Sequence, residues 1–319
     1  MPTLFLARET LILGNDRELR RQCQRGELHR IRPGVYYPAR DWRDLEADDR
    51  YRMMVRAAAV SLAPGTQFSH DSAAALWRLP SLTHWPSVAH TLIGPRAGGI
   101  SRAGLRCHSF DSDPASTKID GVAVTSLPRT LLDVATQPAF ARAVAMLDAG
   151  IRVPEEGDFL HTLGVVPPTR EELLLLHEAR LPHFASARAR RALEFADGRS
   201  GSPRESLFRC QCYILGVPAP QLQVPFHDED GFIGFADAYW EHLGLIVEID
   251  GDIKYGARRK YQLNRTPEQI LLAEKRREDR MRRVVKRFAR PPQDVIRDRQ
   301  RLRVFLAHHG LVPAPGASR

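Results

Sequence analysis

Residues 235–255 read FADAYWEHLGLIVEIDGDIKY, and this stretch decides the fold of the last third of the chain. Residues 245–249 form a nearly continuous apolar run, which is typical of a buried central strand. Residues 232–238 alternate like a second strand, and residues 241–244 are short enough to join the two as a hairpin. The stretch therefore predicts two paired strands that carry Asp237 on one and Glu248 with Asp250 on the other.

The acidic residues of this stretch predict a metal site. Side chains alternate along a strand, so Glu248 and Asp250 should share one face, opposite Val247 and Ile249. If the hairpin forms, Asp237 reaches the same end of the sheet and three carboxylates converge. Acids on an apolar strand are costly to bury unless they hold a cation, and Mg²⁺ or Mn²⁺ prefers such oxygen ligands. The alternative interpretation is a solvated face or a turn cap before a glycine.

Further residues could complete this site. Lys254 and Lys275 are the candidates for an ammonium group that orients a water or stabilises a transition state. Glu205 is a candidate fourth acid, although a capping box with Ser202 explains it equally well. We interpret His227 and His242 as loop histidines rather than metal ligands.

The elements around this stretch predict an α/β domain over residues 201–319. It opens after the turn-rich segment 197–203, which is the best domain boundary in the chain. The predicted order is helix, three strands, helix, strand, helix. The corresponding ranges are 203–215, 221–226, 232–238, 245–249, 266–283, 284–288 and 295–307.

This domain resembles the PD-(D/E)xK restriction-endonuclease-like superfamily, and more closely its branch related to very-short-patch-repair endonucleases. Four pieces in order carry the resemblance: Ser202-Pro203-Arg204-Glu205, Asp237, Glu248-Ile249-Asp250-Gly251 and Glu274-Lys275-Arg276-Arg277-Glu278-Asp279. The resemblance implies a metal-dependent phosphodiesterase fold. The sequence departs from the superfamily's main pattern at one position that bears on activity. Asp250 stands two residues after Glu248, where that pattern has a lysine.

The N-terminal residues 1–44 predict the second half of a winged helix-turn-helix. Residues 16–25 read as a helix whose buried face carries Leu19 and Cys23, and Gly26 ends it. Residues 28–31 and 35–37 read as strands joined by the turn Arg32-Pro33-Gly34.

This segment resembles the winged helix of AbiEi-type antitoxins, which are transcriptional autoregulators. The matching residues are Asp16-Arg17-Glu18-Leu19-Arg20-Arg21, Gly26-Glu27-Leu28 and Arg30-Ile31-Arg32-Pro33-Gly34-Val35-Tyr36, and the resemblance continues into 69–76 and 127–133. It implies a recognition helix in the major groove and a wing on the backbone. The candidate DNA-binding residues are Arg17, Arg20, Arg21, Gln24 and Arg25 on the helix and Arg30 and Arg32 on the wing.

Residues 45–200 predict a mixed α/β middle region followed by linker helices, similar to the antitoxins. The pair His70-Asp71 looks catalytic, but it stands where a helix needs a cap, and we interpret it as that cap. Trp77 and Trp85 are most simply core residues. The whole chain is thus expected to be an α+β multidomain protein: a winged helix, this middle region and a C-terminal α/β domain.

Composition agrees with a nucleic-acid partner. The net charge is +9 and the isoelectric point is about 9.8, with basic clusters at 17–32 and 275–290. The four cysteines match no zinc pattern and are expected to be reduced thiols. No apolar run is long enough to span a bilayer and the N-terminus is unlike a secretory signal, so we expect a cytoplasmic protein.

Two functions remain open at this point. The first is a DNA-binding, Mg²⁺- or Mn²⁺-dependent endonuclease, acting for example in phage defence. The second is an antitoxin-like transcriptional regulator with an inactive nuclease-type domain and a toxin as protein partner. The position of Asp250 keeps the second function open.

Overall fold

The computed structural model describes residues 4–6, 16–94, 101–102, 104–109, 115–250 and 266–313. The protein is a mixed α/β chain that divides into two compact units, unit 1 over Met1–Val134 and unit 2 over Ala135–Arg319. Within the described ranges, none of the helices combines the length and the apolarity needed to cross a membrane.

Unit 1 contains two small sheets, a hairpin and short helices. Its elements in chain order are β1 (Phe5–Leu6), α1 (Asp16–Gln24), β2 (Leu28–Arg32), β3 (Val35–Pro38), α2 (Ala39–Asp44), α3 (Ala47–Ser61), α4 (His70–Leu76), β4 (Ala89–Ile93), β5 (Ser101–Arg102), β6 (Leu105–Ser109), β7 (Ser116–Ile119), β8 (Val122–Thr125) and α5 (Leu127–Ala135), whose last residue lies past the boundary.

Helix α1 packs on the hairpin that follows it. Leu19 and Cys23, one turn apart, contact Leu28 of β2 and Tyr36 of β3 in one apolar cluster, as the spacing predicts. Strands β2 and β3 pair antiparallel through a turn at Gly34, and β1 adds to the other edge of β3. The remaining face of α1 therefore points away from the hairpin.

The second sheet of unit 1 brings helix α4 against strand β4. In this sheet β4 pairs in parallel with β6, and β5 pairs antiparallel with β6. The backbone N–H of Ser69, just before α4, donates to the carbonyl of His90 in β4 at 3.1 Å. The N–H of His90 in turn donates to the hydroxyl of Ser72 at 2.8 Å. Two hydrogen bonds thus fix the start of α4 on the sheet.

Unit 2 begins with helices and ends with a four-stranded sheet flanked by helices. Its elements are α6 (Phe140–Ile151), α7 (Phe159–Thr162), α8 (Arg170–Glu178), α9 (Ser186–Phe195), α10 (Pro203–Ile214), β9 (Gln221–Asp228), β10 (Gly231–Trp240), β11 (Leu245–Val247), α11 (Pro267–Val284), β12 (Arg287–Ala289), α12 (Gln293–Arg297) and α13 (Arg299–His308).

The sheet of unit 2 has the order β12-β11-β10-β9. Strands β9, β10 and β11 form an antiparallel meander, and β12 pairs in parallel with β11 after the crossover that contains α11. Val247 and Ile249 pack with Phe208 of α10, whereas Ile246 packs with Met281 of α11. The alternation expected of this strand is therefore present through Ile249, and the sheet lies between the two helices.

The end of the chain differs from the expectation of one helix over 295–307. Asp298 has an extended backbone (φ −96°, ψ 112°) and separates α12 from α13. Its carboxylate accepts the N–H of Arg301 at 3.0 Å, so Asp298 caps the second helix. The side-chain cap satisfies a backbone donor that a continuous helix would have bonded internally.

A buried ion pair joins helices α6 and α10. The Oδ2 atom of Asp148 accepts from the guanidinium of Arg209 at 2.8 Å and from the hydroxyl of Ser206 at 2.7 Å. Its Oδ1 atom accepts the N–H of Asp197 at 2.7 Å. The side chains of Asp148 and Arg209 are only 1% and 9% exposed, so each charge depends on the other.

Gly244 makes the turn between β10 and β11 possible, and its replacement tests that role. Its backbone is left-handed (φ 56°, ψ 36°), and its carbonyl accepts the N–H of Arg287 at 3.0 Å. We expect Gly244→Ala to lower the free energy of unfolding by about 1–2 kcal/mol, because a Cβ is disfavoured in this conformation. Gly244→Asn should cost less, since asparagine tolerates it. Urea unfolding measures both, and equal losses would contradict the conformational explanation.

Candidate functional site

Two buried carboxylates lie side by side in the sheet of unit 2. Ala238 of β10 pairs with Val247 of β11, which brings Asp237 alongside Glu248, the residue after β11. Asp237 is 7% exposed and Glu248 is 4% exposed. The Oδ2 atom of Asp237 accepts the backbone N–H of Ile249 at 2.8 Å, and the N–H of Glu248 donates to the carbonyl of Ala289 at 3.0 Å. Both acids are thus held by the backbone around the end of β11.

The carboxylate of Glu248 is only partly satisfied. Its Oε2 atom accepts from Arg277 of α11, which also donates to the carbonyl of Phe235 at 3.2 Å. Its Oε1 atom is buried and has no hydrogen-bond partner among the described residues. Burial, and next the charge of Asp237, raise the pKa of Glu248, and the guanidinium groups of Arg277 and Arg290 oppose that rise. The pair of acids therefore attracts positive charge.

Asp250 lies apart from this pair. Its side chain is 63% exposed, and its Oδ1 atom accepts from Arg290 at 2.9 Å. Its backbone carbonyl accepts from Arg204 of α10 at 2.7 Å. Within the described residues, the oxygens of Asp250 do not join those of Asp237 and Glu248 in a group of three ligand atoms within 4.8 Å of one another. The structure thus brings together two of the three predicted acids.

Glu205 is buried at the start of α10 and takes part in the helix cap. Its Oε2 atom accepts the N–H of Gly201 at 2.7 Å and the amide of Gln223 at 3.2 Å. The hydroxyl of Ser202 accepts the N–H of Glu205 at 3.3 Å. One of the two hydrogen bonds of the expected capping box is therefore present, because the carboxylate of Glu205 accepts from the N–H of Gly201 instead of that of Ser202.

The basic residues that contact the acids come from three places: Arg277 from α11, Arg290 from just after β12 and Arg204 from α10. Lys275 is exposed on this helix, and Lys254 lies outside the described residues. Arg277, which contacts Glu248, was not selected from the sequence. Its position in the sequence could have identified it, because Arg277 lies one turn before the buried Met281 and therefore on the inner side of α11. Of the two histidines interpreted as loop residues, His242 lies in the turn before Gly244, whereas His227 lies in β9.

One face of α1 carries an exposed basic stripe. Arg17, Arg20, Arg21 and Gln24 are all exposed and follow the spacing i, i+3, i+4, i+7. Arg25 is also exposed, but its guanidinium is paired with Glu27 at 2.7 Å and with Glu18 at 3.0 Å. The first four residues share one exposed face, called here the α1 stripe, within which Arg21 also lies 3.9 Å from the carboxylate of Glu18.

The two arginines of the β2–β3 hairpin differ in their surroundings. Arg30 is exposed, whereas Arg32 is half-buried and donates to the carbonyl of Gly104 at 3.2 Å. Burial lowers the pKa of the Arg32 guanidinium. Arg32 therefore holds the hairpin to another part of unit 1, and Arg30 extends the basic surface.

Three histidines of unit 1 form a cluster that the sequence did not reveal. His70, His90 and His108 each place a ring nitrogen within 4.8 Å of the others. The interpretation of His70 and Asp71 as a cap is not what the structure shows. Ser69 holds the cap position, without a side-chain hydrogen bond to the helix. His70 has a left-handed backbone (φ 48°), and its ring stacks on that of His108. The three residues lie on separate elements with no motif spacing, so no local pattern signalled the cluster.

Comparison with known proteins finds distant relatives. No family model matches the chain. Over 133 residues the chain is 30% identical to two uncharacterized proteins of Mycobacterium tuberculosis, from strains CDC 1551 and H37Rv. The aligned segment covers 42% of this chain and 45% of each relative, so the chain spans less than half the length of the curated relatives it matches. Because both relatives are uncharacterized, they indicate no activity for this chain.

Proposed function

We propose that this chain is a DNA-binding protein whose unit 2 is an endonuclease-like domain that hydrolyses phosphodiester bonds with a divalent metal ion. The observation that carries the proposal is the buried pair of Asp237 and Glu248 on adjacent strands, with an unsatisfied oxygen on Glu248. Uncompensated carboxylate oxygen is costly in a protein interior, and a bound cation would remove that cost.

The donor set fits Mg²⁺ or Mn²⁺. Both acids offer hard oxygen ligands, and such ions are often held by one or two carboxylates together with waters and substrate phosphates. Asp237 and Glu248 would hold the ion, and Asp250 could join them only by leaving Arg290. A divalent ion in such a site activates water and neutralises charge on a phosphodiester. Arg277 and Arg290 would supply further positive charge beside the substrate.

The layout of unit 2 supports the same proposal. Helix α10, the β9–β10–β11 meander, helix α11 and the parallel strand β12 follow the order expected from the resemblance to the PD-(D/E)xK superfamily. The acids lie where the central strand ends, next to the basic helix α11. In the resemblance the same acids belong to the Asp strand and to the Glu-x-Asp-Gly strand. The likeness is one of element order and of the placement of the acids, and a DNA cleavage assay tests the activity.

The basic stripe of unit 1 supports DNA binding. Helix α1 precedes a two-stranded hairpin, β1 completes a three-stranded sheet, and the exposed face of α1 is basic. A helix that exposes Arg17, Arg20, Arg21 and Gln24 on one face can enter a major groove and contact phosphates and base edges. Arg30 on the hairpin would contact the neighbouring backbone.

Neutralising the α1 stripe should weaken DNA binding and its dependence on salt. For the triple variant Arg17→Ala, Arg20→Ala, Arg21→Ala, we expect the slope of log K against log salt concentration to fall in magnitude by about 2 to 3, because each lost phosphate contact removes about one unit. Fluorescence anisotropy with a labelled duplex across a salt series measures the slope.

The matched control removes the same charge elsewhere. The exposed residues Arg170, Arg190 and Arg303 of unit 2, changed together to alanine, should leave the slope nearly unaltered. If both triple variants reduce the slope equally, binding depends on net charge alone and the α1 stripe is not the contact surface.

A specific observation favours a second function, an antitoxin-like transcriptional regulator with an inactive unit 2 and a toxin as partner. Arg277 already pairs with Glu248, and Asp250 pairs with Arg290 instead of joining the acids. An arginine can take the place of a cation beside a carboxylate, in which case the site is structural. The two functions make opposite predictions about cleavage.

A further inference from the structure

We propose that His70, His90 and His108 form a binding site for Zn²⁺ in unit 1. This site goes beyond the proposed nuclease function, because its ligands are nitrogens in unit 1 whereas the acids are oxygens in unit 2. Imidazole nitrogen is a preferred ligand of Zn²⁺ and a poor one for Mg²⁺.

The distances between the ring nitrogens agree with this occupant. The Nε2 atom of His108 lies 3.3 Å from the Nδ1 atom of His90. Two ligands of a tetrahedral ion with metal–nitrogen bonds of about 2.0–2.1 Å are separated by about 3.3 Å. A nitrogen of His70 lies within 4.8 Å of nitrogens on both other rings, and the His70 ring stacks on His108 with a centroid distance of 3.6 Å. Because the lone pair of an imidazole nitrogen lies in the ring plane, the His70 ring has to rotate out of this stack to share an ion with His108.

The backbone holds the three residues close together before any ion binds. His90 and His108 come from the parallel strands β4 and β6, where His108 pairs with Leu92, two residues beyond His90 on the same face. His70 is tied to β4 by the hydrogen bond from Ser69 to the carbonyl of His90. Its backbone is left-handed, a conformation that costs free energy in residues other than glycine and that clusters at functional sites.

The surroundings of the three rings agree with a metal site. His90 is 4% exposed. The buried carboxylate of Asp133 lies 3.7 Å from the Nδ1 atom of His70, where a second-shell acid commonly orients a metal-binding histidine through its other nitrogen. Ser69 also lies 3.0 Å from that atom.

The ligand count points to an open coordination position. Within the described residues, the group comprises three histidines and no fourth His, Cys, Asp or Glu ligand. The side chain of His70 is 18% exposed, so the cluster is within reach of solvent. Three protein ligands with a water in the fourth position is the arrangement of an exchangeable site rather than of a closed structural one.

The test is metal binding by the full chain after removal of any purification tag and of bound metal. Competition with a chromophoric chelator should show one Zn²⁺ per chain. His90→Gln and His108→Gln should each weaken that binding by at least about 100-fold, since even second-shell changes cost 10–100-fold. The wild-type chain loaded with Co²⁺ should show the intense visible bands of tetrahedral coordination, a result that does not depend on whether a variant folds.

Two controls separate this site from other ligands. His183→Gln alters a two-histidine contact in unit 2, where the Nε2 atom of His183 lies 3.0 Å from His177, and should leave Zn²⁺ binding unchanged. The double variant Asp237→Asn, Glu248→Gln should also still bind one Zn²⁺. The proposal is overturned if the wild type binds no Zn²⁺, if the histidine variants bind it as tightly as the wild type, or if the carboxylate variant loses it.

Discussion

Glu248→Gln is expected to reduce Mg²⁺- or Mn²⁺-dependent DNA cleavage by at least about 100-fold. The substitution keeps the shape of the side chain and removes the charge that would hold the ion. Changes one shell farther from a metal already cost 10–100-fold in affinity or activity, so a direct ligand should cost at least as much. The measurement is the rate of plasmid nicking and linearisation by the full chain, with Mn²⁺ binding followed in parallel.

The matched control for this variant is Glu274→Gln. Glu274 is exposed on α11, so the same substitution removes the same charge outside the buried pair and should leave the rate unchanged. Thermal unfolding of both variants separates loss of the site from loss of the fold. Absence of cleavage by the wild type, or equal residual cleavage by wild type and Glu248→Gln, would contradict the endonuclease and favour the regulator with Arg277 in the place of a cation.

Asp148→Ala is expected to lower the free energy of unfolding of unit 2 by about 3–5 kcal/mol. The substitution removes the acceptor of three hydrogen bonds and leaves the guanidinium of Arg209 buried without its counter-ion. Breaking a buried pair from one side is costly for that reason, even where the intact pair adds little net stability. Urea unfolding followed by circular dichroism measures the loss.

An exposed ion pair of the same unit provides the comparison. Asp294 pairs with Arg301, and the side chains are 60% and 57% exposed, so Asp294→Ala should cost no more than about 1 kcal/mol. The double variant Asp148→Ala, Arg209→Met should recover part of the loss, because it also removes the stranded charge. Equal losses for the two single variants would show that burial does not set the contribution of Asp148.

The local pattern of the sequence was sufficient for most helices and strands of the protein. The prediction that Leu19 and Cys23 share the buried face of their helix is confirmed, because two apolar residues one turn apart lie on the same side of a helix. The predicted pairing of the strands on either side of residues 241–244 is also present, because an apolar run beside a turn glycine leaves few alternatives. These features depend on residues that are close in sequence.

The candidate site was predicted less completely, because its contacts join distant residues. Glu248, just after β11, contacts Arg277 of α11, and His70 of α4 contacts His108 of β6. Asp250 shows a different limit. β11 ends at Val247 and the alternation continues only through Ile249, so the pattern did not determine the direction of the Asp250 side chain.

If the α1 stripe binds DNA as proposed, its length sets the amount of sequence that one molecule reads. From Arg17 to Gln24 the helix rises about 10 Å, which matches about three base pairs of duplex at about 3.4 Å each. A three-base-pair word recurs about once in 64 positions by chance, far too often to mark one place in a genome. Two such words at a fixed separation of about one helical turn, read by two copies of the chain bound side by side, would recur only about once in 4,096 positions.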